Sequence, residues 1–150
     1  MTIEQRLKNL SVPKGKIDVV LDTDTYNEID DQFAIAYALR SPERINLCAL
    51  YAAPFFNSLS SSPADGMEKS YYEIRRVLER MHDPRANDES FVLRGSEGYL
   101  PDGDTPVESD AARDLVRRAL AAKDVLYVAA IGAATNIASA LLLEPALAER

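Results

Sequence analysis

The sequence has one cysteine, one histidine, a shortage of basic residues and no apolar run long enough to span a bilayer. Each shortage excludes something. A lone Cys48 can form no intrachain disulfide, and its place inside an apolar run reads as a small buried hydrophobe. The single histidine, His82, stands beside Asp83-Pro84 at the end of a helical stretch and reads as a surface residue, not a proton donor at a site. Lys and Arg number 17 against 24 Asp and Glu, a net charge of −7. Such a chain repels phosphate backbones, so no nucleic-acid partner is expected, and no membrane partner either. Residues 1–15 are polar and lack the apolar core of a signal peptide, so a cytoplasmic location is expected. There is no low-complexity tract. Hydrophobic residues make up 47% of 150, enough for one domain with a buried core.

What the chain has in abundance is acid in one place. The apolar run 17–21 has the length and β-branched content of a buried strand. From Ile29 to Leu39 the apolar positions Phe33, Ile35, Ala36 and Leu39 take helical spacing. Asp22, Asp24, Glu28, Asp30 and Asp31 lie between the strand and the helix, and in an open α/β sheet ligands bind at the carboxyl ends of strands. Helix capping accounts for Asp30 and Asp31. Asp22 and Asp24 share one side of an extended segment, where two carboxylates repel. A bound cation removes that repulsion. With no Cys or His in the loop it would be a hard, oxygen-preferring ion. The alternative is a set of solvated turn carboxylates.

The remainder reads as repeated strand–helix units. Strand signals cover 45–53, 91–93 and 125–131. Helix signals cover 67–81, with Tyr71, Ile74, Val77, Leu78 and Met81 on one face. They also cover a stretch capped by Ser109, with Ala112, Leu115, Val116, Ala119 and Leu120 inside, and a last stretch over 135–143. Ser41-Pro42 and the Ser-rich loop 58–62 separate units. Strands alternating with helices predict an α/β fold, a parallel sheet flanked by helices in Rossmann-like βα repeats with right-handed crossovers. In a parallel sheet the loops after strands one, two and four share an edge, so Asp24, Asn57 and Ile131 should converge there.

Two motifs carry a family resemblance. Asp22-Thr23-Asp24 followed by Ile29-Asp30-Asp31 resembles the N-terminal signature D-T-D-P-G-x-D-D of the nucleoside hydrolases of inosine–uridine preferring type. Ile131-Gly132-Ala133-Ala134-Thr135-Asn136-Ile137-Ala138 resembles that family's G-P-L-T-N-I-A segment. The resemblance implies a calcium-dependent enzyme of nucleoside salvage that cleaves the N-glycosidic bond of ribonucleosides to base and ribose. It implies Asp24 as calcium ligand and general base, Asp31 as calcium ligand, and the main-chain carbonyl of Ile131 as a further ligand. Asp30 would accept a hydrogen bond from a ribose hydroxyl, Asn57 would contact ribose, and Asp22 would hold the water or neighbouring ligands from behind. Thr135 and Asn136 would cap the last helix. A homo-oligomer is expected, as is usual in the family.

The departures are specific. Thr25-Tyr26-Asn27-Glu28 makes the acidic loop two residues longer than the family string, and Ala52-Ala53-Pro54-Phe55-Phe56-Asn57 stands where the family has Ala-Gly-Asn. Tyr26 either packs or meets a substrate ring, Glu28 either ligates or is solvated, and Phe55 and Phe56 either wall a base pocket or belong to the core. The resemblance spans residues 16–150, behind the lead-in 1–15, and corresponds to the N-terminal half of a family chain. The other half supplies a further calcium-binding Asp, sugar contacts and often the acid for the leaving base. These 150 residues are therefore expected to hold an incomplete catalytic set. Two other classes compete. One is a non-catalytic metal- or ribose-binding module. The other is a magnesium-dependent phosphotransferase of haloacid dehalogenase type with Asp22 as nucleophile, for which Tyr26 stands where Thr or Val is wanted.

Overall fold

A computed structural model describes residues 2–149. Four strands form one parallel sheet: β1 (Ile17–Thr23), β2 (Ile45–Ala52), β3 (Val92–Arg94) and β4 (Leu126–Ala130), in the spatial order β3-β2-β1-β4. Five helices accompany them: α1 (Ile3–Asn9), α2 (Ile29–Arg40), α3 (Pro63–Arg80), α4 (Asp110–Ala121) and α5 (Thr135–Leu143). Short 3₁₀ turns occupy Pro84–Asn87 and Pro145–Glu149. The α/β fold with helices flanking a parallel sheet is the one the alternation predicts.

The core lies in two layers because strand side chains alternate between faces. Leu21, Leu47 and Leu50 meet Ile35 of α2 and Met67, Tyr71, Ile74 and Leu78 of α3 on one face. Val20, Ala49, Tyr51 and Leu93 meet Ala111, Ala112 and Leu115 of α4 and Ala140 of α5 on the other. Strands buried on both faces need near-continuous apolar sequence, which β1 and β2 supply. One buried polar group on the second face is well partnered. The Tyr51 hydroxyl donates to Asp114 Oδ2 at 2.7 Å, and Asp114 pairs with Arg117 and Arg118.

The boundaries shift in informative ways. The lead-in 1–15 is not featureless. Thr2 caps α1 by accepting from the Gln5 N–H, and Ile3, Leu7 and Leu10 recur at helical spacing. Their apolar faces point to solvent, so polarity masked the periodicity. Helix α3 starts at Pro63, four residues before the expected start, because Ser62 accepts from the Asp65 N–H and Pro63 fits the first turn. On α4, Leu120 is exposed instead of facing inward. Cys48 is half-buried instead of buried, packed against the second layer.

The order β3-β2-β1-β4 places the turning point of the topology between β1 and β4. From β1 the chain first winds outward through β2 and β3, with α2 and α3 on one face. It then returns through α4 on the opposite face to pair β4 with the free side of β1. Adjacent connections leave β1 and β4 on opposite faces, the arrangement at which open α/β sheets bind ligands beyond the carboxyl ends of their strands. The acidic loop follows β1 and the Gly132 segment follows β4.

Candidate metal centre

Strand β1 runs two residues further than the apolar run suggests, so Asp22 is a strand residue and is fully buried, at 0% exposure. Its backbone pairs on both sides: the Ile131 N–H donates to the Asp22 carbonyl at 2.9 Å. Asn136 Nδ2 donates to Asp22 Oδ1 at 2.7 Å, whereas Asp22 Oδ2 is buried without a hydrogen-bond partner. Burial pushes the Asp22 carboxyl up to about 7, against the stabilising bond from Asn136.

Asn136 does not cap α5. The cap position is Ala134, which makes no side-chain cap bond, and Thr135 and Asn136 lie buried inside the first turn. The Asn136 carboxamide instead bridges the sheet. It donates to Asp22 and to the Ala52 carbonyl at 3.2 Å, and it accepts from the Ser96 N–H at 2.8 Å and the Ser96 hydroxyl at 2.9 Å. Glycine at 95 is required for this, because a Cβ there would collide with the Ala52 carbonyl and the Asn136 amide. Sequence reasoning missed the bridge. Its only signal was an Asn one residue inside a helix start, where a capping residue would stand one or two positions earlier.

Asp24 and Asp31 are also buried, Asp30 and Glu28 exposed. Glu28 occupies the N-cap position of α2 without a side-chain cap bond, a solvated helix-start acid. Asp31 turns toward β1 instead of capping its own helix: Thr23 Oγ1 donates to Asp31 Oδ1, and the Thr23 and Thr25 hydroxyls are 2.9 Å apart. Burial raises the Asp31 carboxyl to about 6, opposed by the Thr23 bond and helped by the charges of Asp24, Asp30 and Glu28. Burial likewise raises Asp24, opposed by a bond from Asn27 and helped by Glu28 and Asp30.

The expected convergence of the three loops is present. Asn57 Nδ2 donates to Asn27 Oδ1 at 2.6 Å, and Asn27 Nδ2 donates to Asp24 Oδ2 at 3.0 Å, which links the loop after β2 to the loop after β1. From the other side, a Cβ on Gly132 would stand 2.9 Å from both the backbone nitrogen and Oδ1 of Asp24. The loop after β4 thus lies directly on Asp24. The Ile131 side chain is 44% exposed. Tyr26 stacks on the buried Phe55, ring centroids 6.5 Å apart, with the Lys69 ammonium 6.0 Å from its ring. Phe55 therefore belongs to the core, and Phe56 is open to solvent.

The donor set suits a hard divalent cation. Among the described residues, none of Asp22, Asp24 or Asp31 has a Lys or Arg ion-pair partner. All three are raised, and one Asp22 oxygen is orphaned. Carboxyls gathered in this way, without a Lys or Arg partner among the described residues, are the ordinary setting of a hard cation. Among the described residues, no three His, Cys, Asp or Glu side chains close around a single point. Asp24, Asp31 and the Ile131 carbonyl, the residues that would hold such an ion, include only two such side chains. His82, exposed with φ 57° past the end of α3, lies at the helix end opposite the strand tips. Among the described residues, no helix is long and apolar enough to cross a membrane. No protein-family model, curated protein or solved structure matches the chain.

Proposed function

We propose that the crevice between β1 and β4 is the calcium- and ribose-binding part of a nucleoside hydrolase site, acting on the N-glycosidic bond of ribonucleosides. The observation that carries this reading is a set of buried, unpaired carboxylates at the turning point of a parallel sheet, one of them with an orphaned oxygen. Asp24, Asp31 and the Ile131 carbonyl would hold the ion. A bound calcium supplies orientation and acidification of a water molecule.

The residues of the chain do the rest. Asp24 accepts the proton of the attacking water as its oxygen bonds to the anomeric carbon. Asp30, exposed at the first turn of α2, accepts a hydrogen bond from a ribose hydroxyl and holds the sugar in place. Positive charge develops on the sugar as the bond to the base breaks, and the surrounding carboxylates stabilise it. Asp22, behind them, keeps the strand end and Asn136 in register. The leaving base also needs a proton, and none of these residues supplies it, so the cluster is one part of a complete catalytic set. A phosphotransferase with Asp22 as nucleophile fits poorly, because that carboxyl is sealed from substrate and held by Asn136.

Calorimetric titration with calcium tests the metal, and ultraviolet detection of released base from purine and pyrimidine ribonucleosides tests the chemistry. Asp31→Ala is expected to abolish calcium binding. An unchanged titration in that variant removes the central claim. Retention of nucleoside without release of base would make the chain a binding module.

A further inference from the structure

The acidic loop is two residues longer than the family string it resembles, and the added length has a visible use. The Asn27 N–H donates to the Asp24 carbonyl at 2.7 Å, closing a tight turn. The Asn27 side chain then folds back so that Nδ2 donates to Asp24 Oδ2 at 3.0 Å. Asn27 Oδ1 accepts from Asn57 Nδ2 at 2.6 Å, and Asn57 Oδ1 accepts from the Leu59 N–H at 2.8 Å.

This chain of bonds has one possible direction. A main-chain N–H can only donate, so the Asn57 atom facing Leu59 is the oxygen. The Asn57 amino group then faces Asn27, which must present oxygen to it and turn its own amino group to Asp24. One backbone N–H in the loop after β2 therefore decides that a donor, not an acceptor, meets the carboxylate in the loop after β1. The other carboxylate oxygen, Oδ1, lies against Gly132 in the loop after β4.

We propose that Asn27 is a positioning residue for Asp24, and that Asn57 acts through it by fixing the orientation of its carboxamide. Asn27 occupies Oδ2 and leaves Oδ1, on the β4 side, as the atom presented to cation or water. Partners that orient a ligand in this way commonly set metal affinity as strongly as some ligands do. The inference rests on the metal reading of Asp24. It reassigns the contact of Asn57 from sugar to its neighbouring side chain.

Calcium titration of the full chain tests it on three variants, with circular dichroism confirming that each folds. Both asparagines lie toward the surface, so the core is untouched. Asn27→Ala is expected to weaken calcium binding by about tenfold or more. Asn57→Asp offers only oxygens to Leu59 and Asn27, which forces the Asn27 amino group away from Asp24, and a comparable loss is expected. The added charge alone would tighten cation binding, so a loss in this variant is diagnostic and a gain overturns the relay. The double variant should bind no more weakly than Asn27→Ala, because both changes act on one bond. Calcium affinity unchanged in Asn27→Ala overturns the proposal.

A metal-free measurement separates this claim from the functional reading. In nuclear magnetic resonance spectra of the metal-free protein, the Asn27 side-chain amide protons should be protected from solvent exchange, and Asn57→Asp, which turns that amino group from Asp24 toward position 57, should shift their resonances. If the wild-type chain binds no calcium, the functional reading fails while protected Asn27 protons still support the positioning. Unprotected protons in the wild type overturn it whatever the metal does.

Discussion

Asp22 keeps one carboxyl oxygen buried without a hydrogen-bond partner, and the consequence depends on pH. The carboxyls of Asp22 and Asp31 stand at about 7 and about 6, against an ordinary value of 3.8, and Asp24 is raised as well. Between those limits the metal-free folded chain holds protons that the unfolded chain has lost. The stability this confers is complete below about pH 4 and is lost as pH rises through 6 and 7. Carboxylates lowered by their partners, Asp65, Asp83, Asp88 and Asp102, act in the opposite sense but titrate below this window. The melting temperature of the metal-free protein should therefore fall from about pH 5 to about pH 8. Asp22→Asn should flatten the upper part of that fall. On the proposed reading, calcium competes with protons for Asp24 and Asp31 and should raise the melting temperature at pH 8 far more than at pH 5. Scanning calorimetry at the two pH values checks all three statements.

Among the elements, α5 contributes most through a single side chain. Asn136→Ala would strip bonds from Asp22, the Ala52 carbonyl and Ser96 at once and open a buried hole, with an expected loss of roughly 3 kcal/mol or more in urea unfolding. Asn136→Asp keeps the acceptor for Ser96 but sets a second carboxylate against Asp22, so it should not rescue. This bridge also marks the limit of sequence legibility. Strand β1, helix α2 and the acids between them follow from local patterns, because a buried strand needs an apolar run and a helix face needs a 3.6-residue period. The meeting of the loops after β1, β2 and β4 follows from parallel topology. The Asn136 bridge follows from neither, since Asn136 and Asp22 are 114 residues apart and nothing local to either announces the other. The Asn27–Asn57 contact, between residues 30 apart, is hidden in the same way. Helix α1 escaped for another reason: it buries none of its residues, so its periodicity has no core to answer to.

At the scale of the whole molecule, the sheet is covered unevenly. Among the described residues β4 pairs only with β1, and Val128 on it is 37% exposed. Beside it a hollow runs between β4 and α2, lined by Leu21, Phe33, Tyr37, Ala129 and Ile131, with Asp30 and Asp31 of the candidate metal centre in its wall. An uncovered edge with apolar flanks is a template for a second strand. The chain should therefore self-associate in a concentration-dependent way, and Val128→Lys should shift sedimentation toward the monomer. Equal sedimentation of the two proteins would place any association elsewhere. The arrangement of β1 has a last consequence, which concerns the order in which the chain is made. Synthesis delivers β1, β2 and β3 well before β4, so the central strand must wait with one side bare, the state in which strands most readily pair with the wrong neighbour. During that wait Asp22 and Asp24 hold neither Asn136 nor the Gly132 loop, and like charges on adjoining copies repel. The acids at the end of β1 would then act as gatekeepers, guarding the open strand of the newborn chain until its partner arrives.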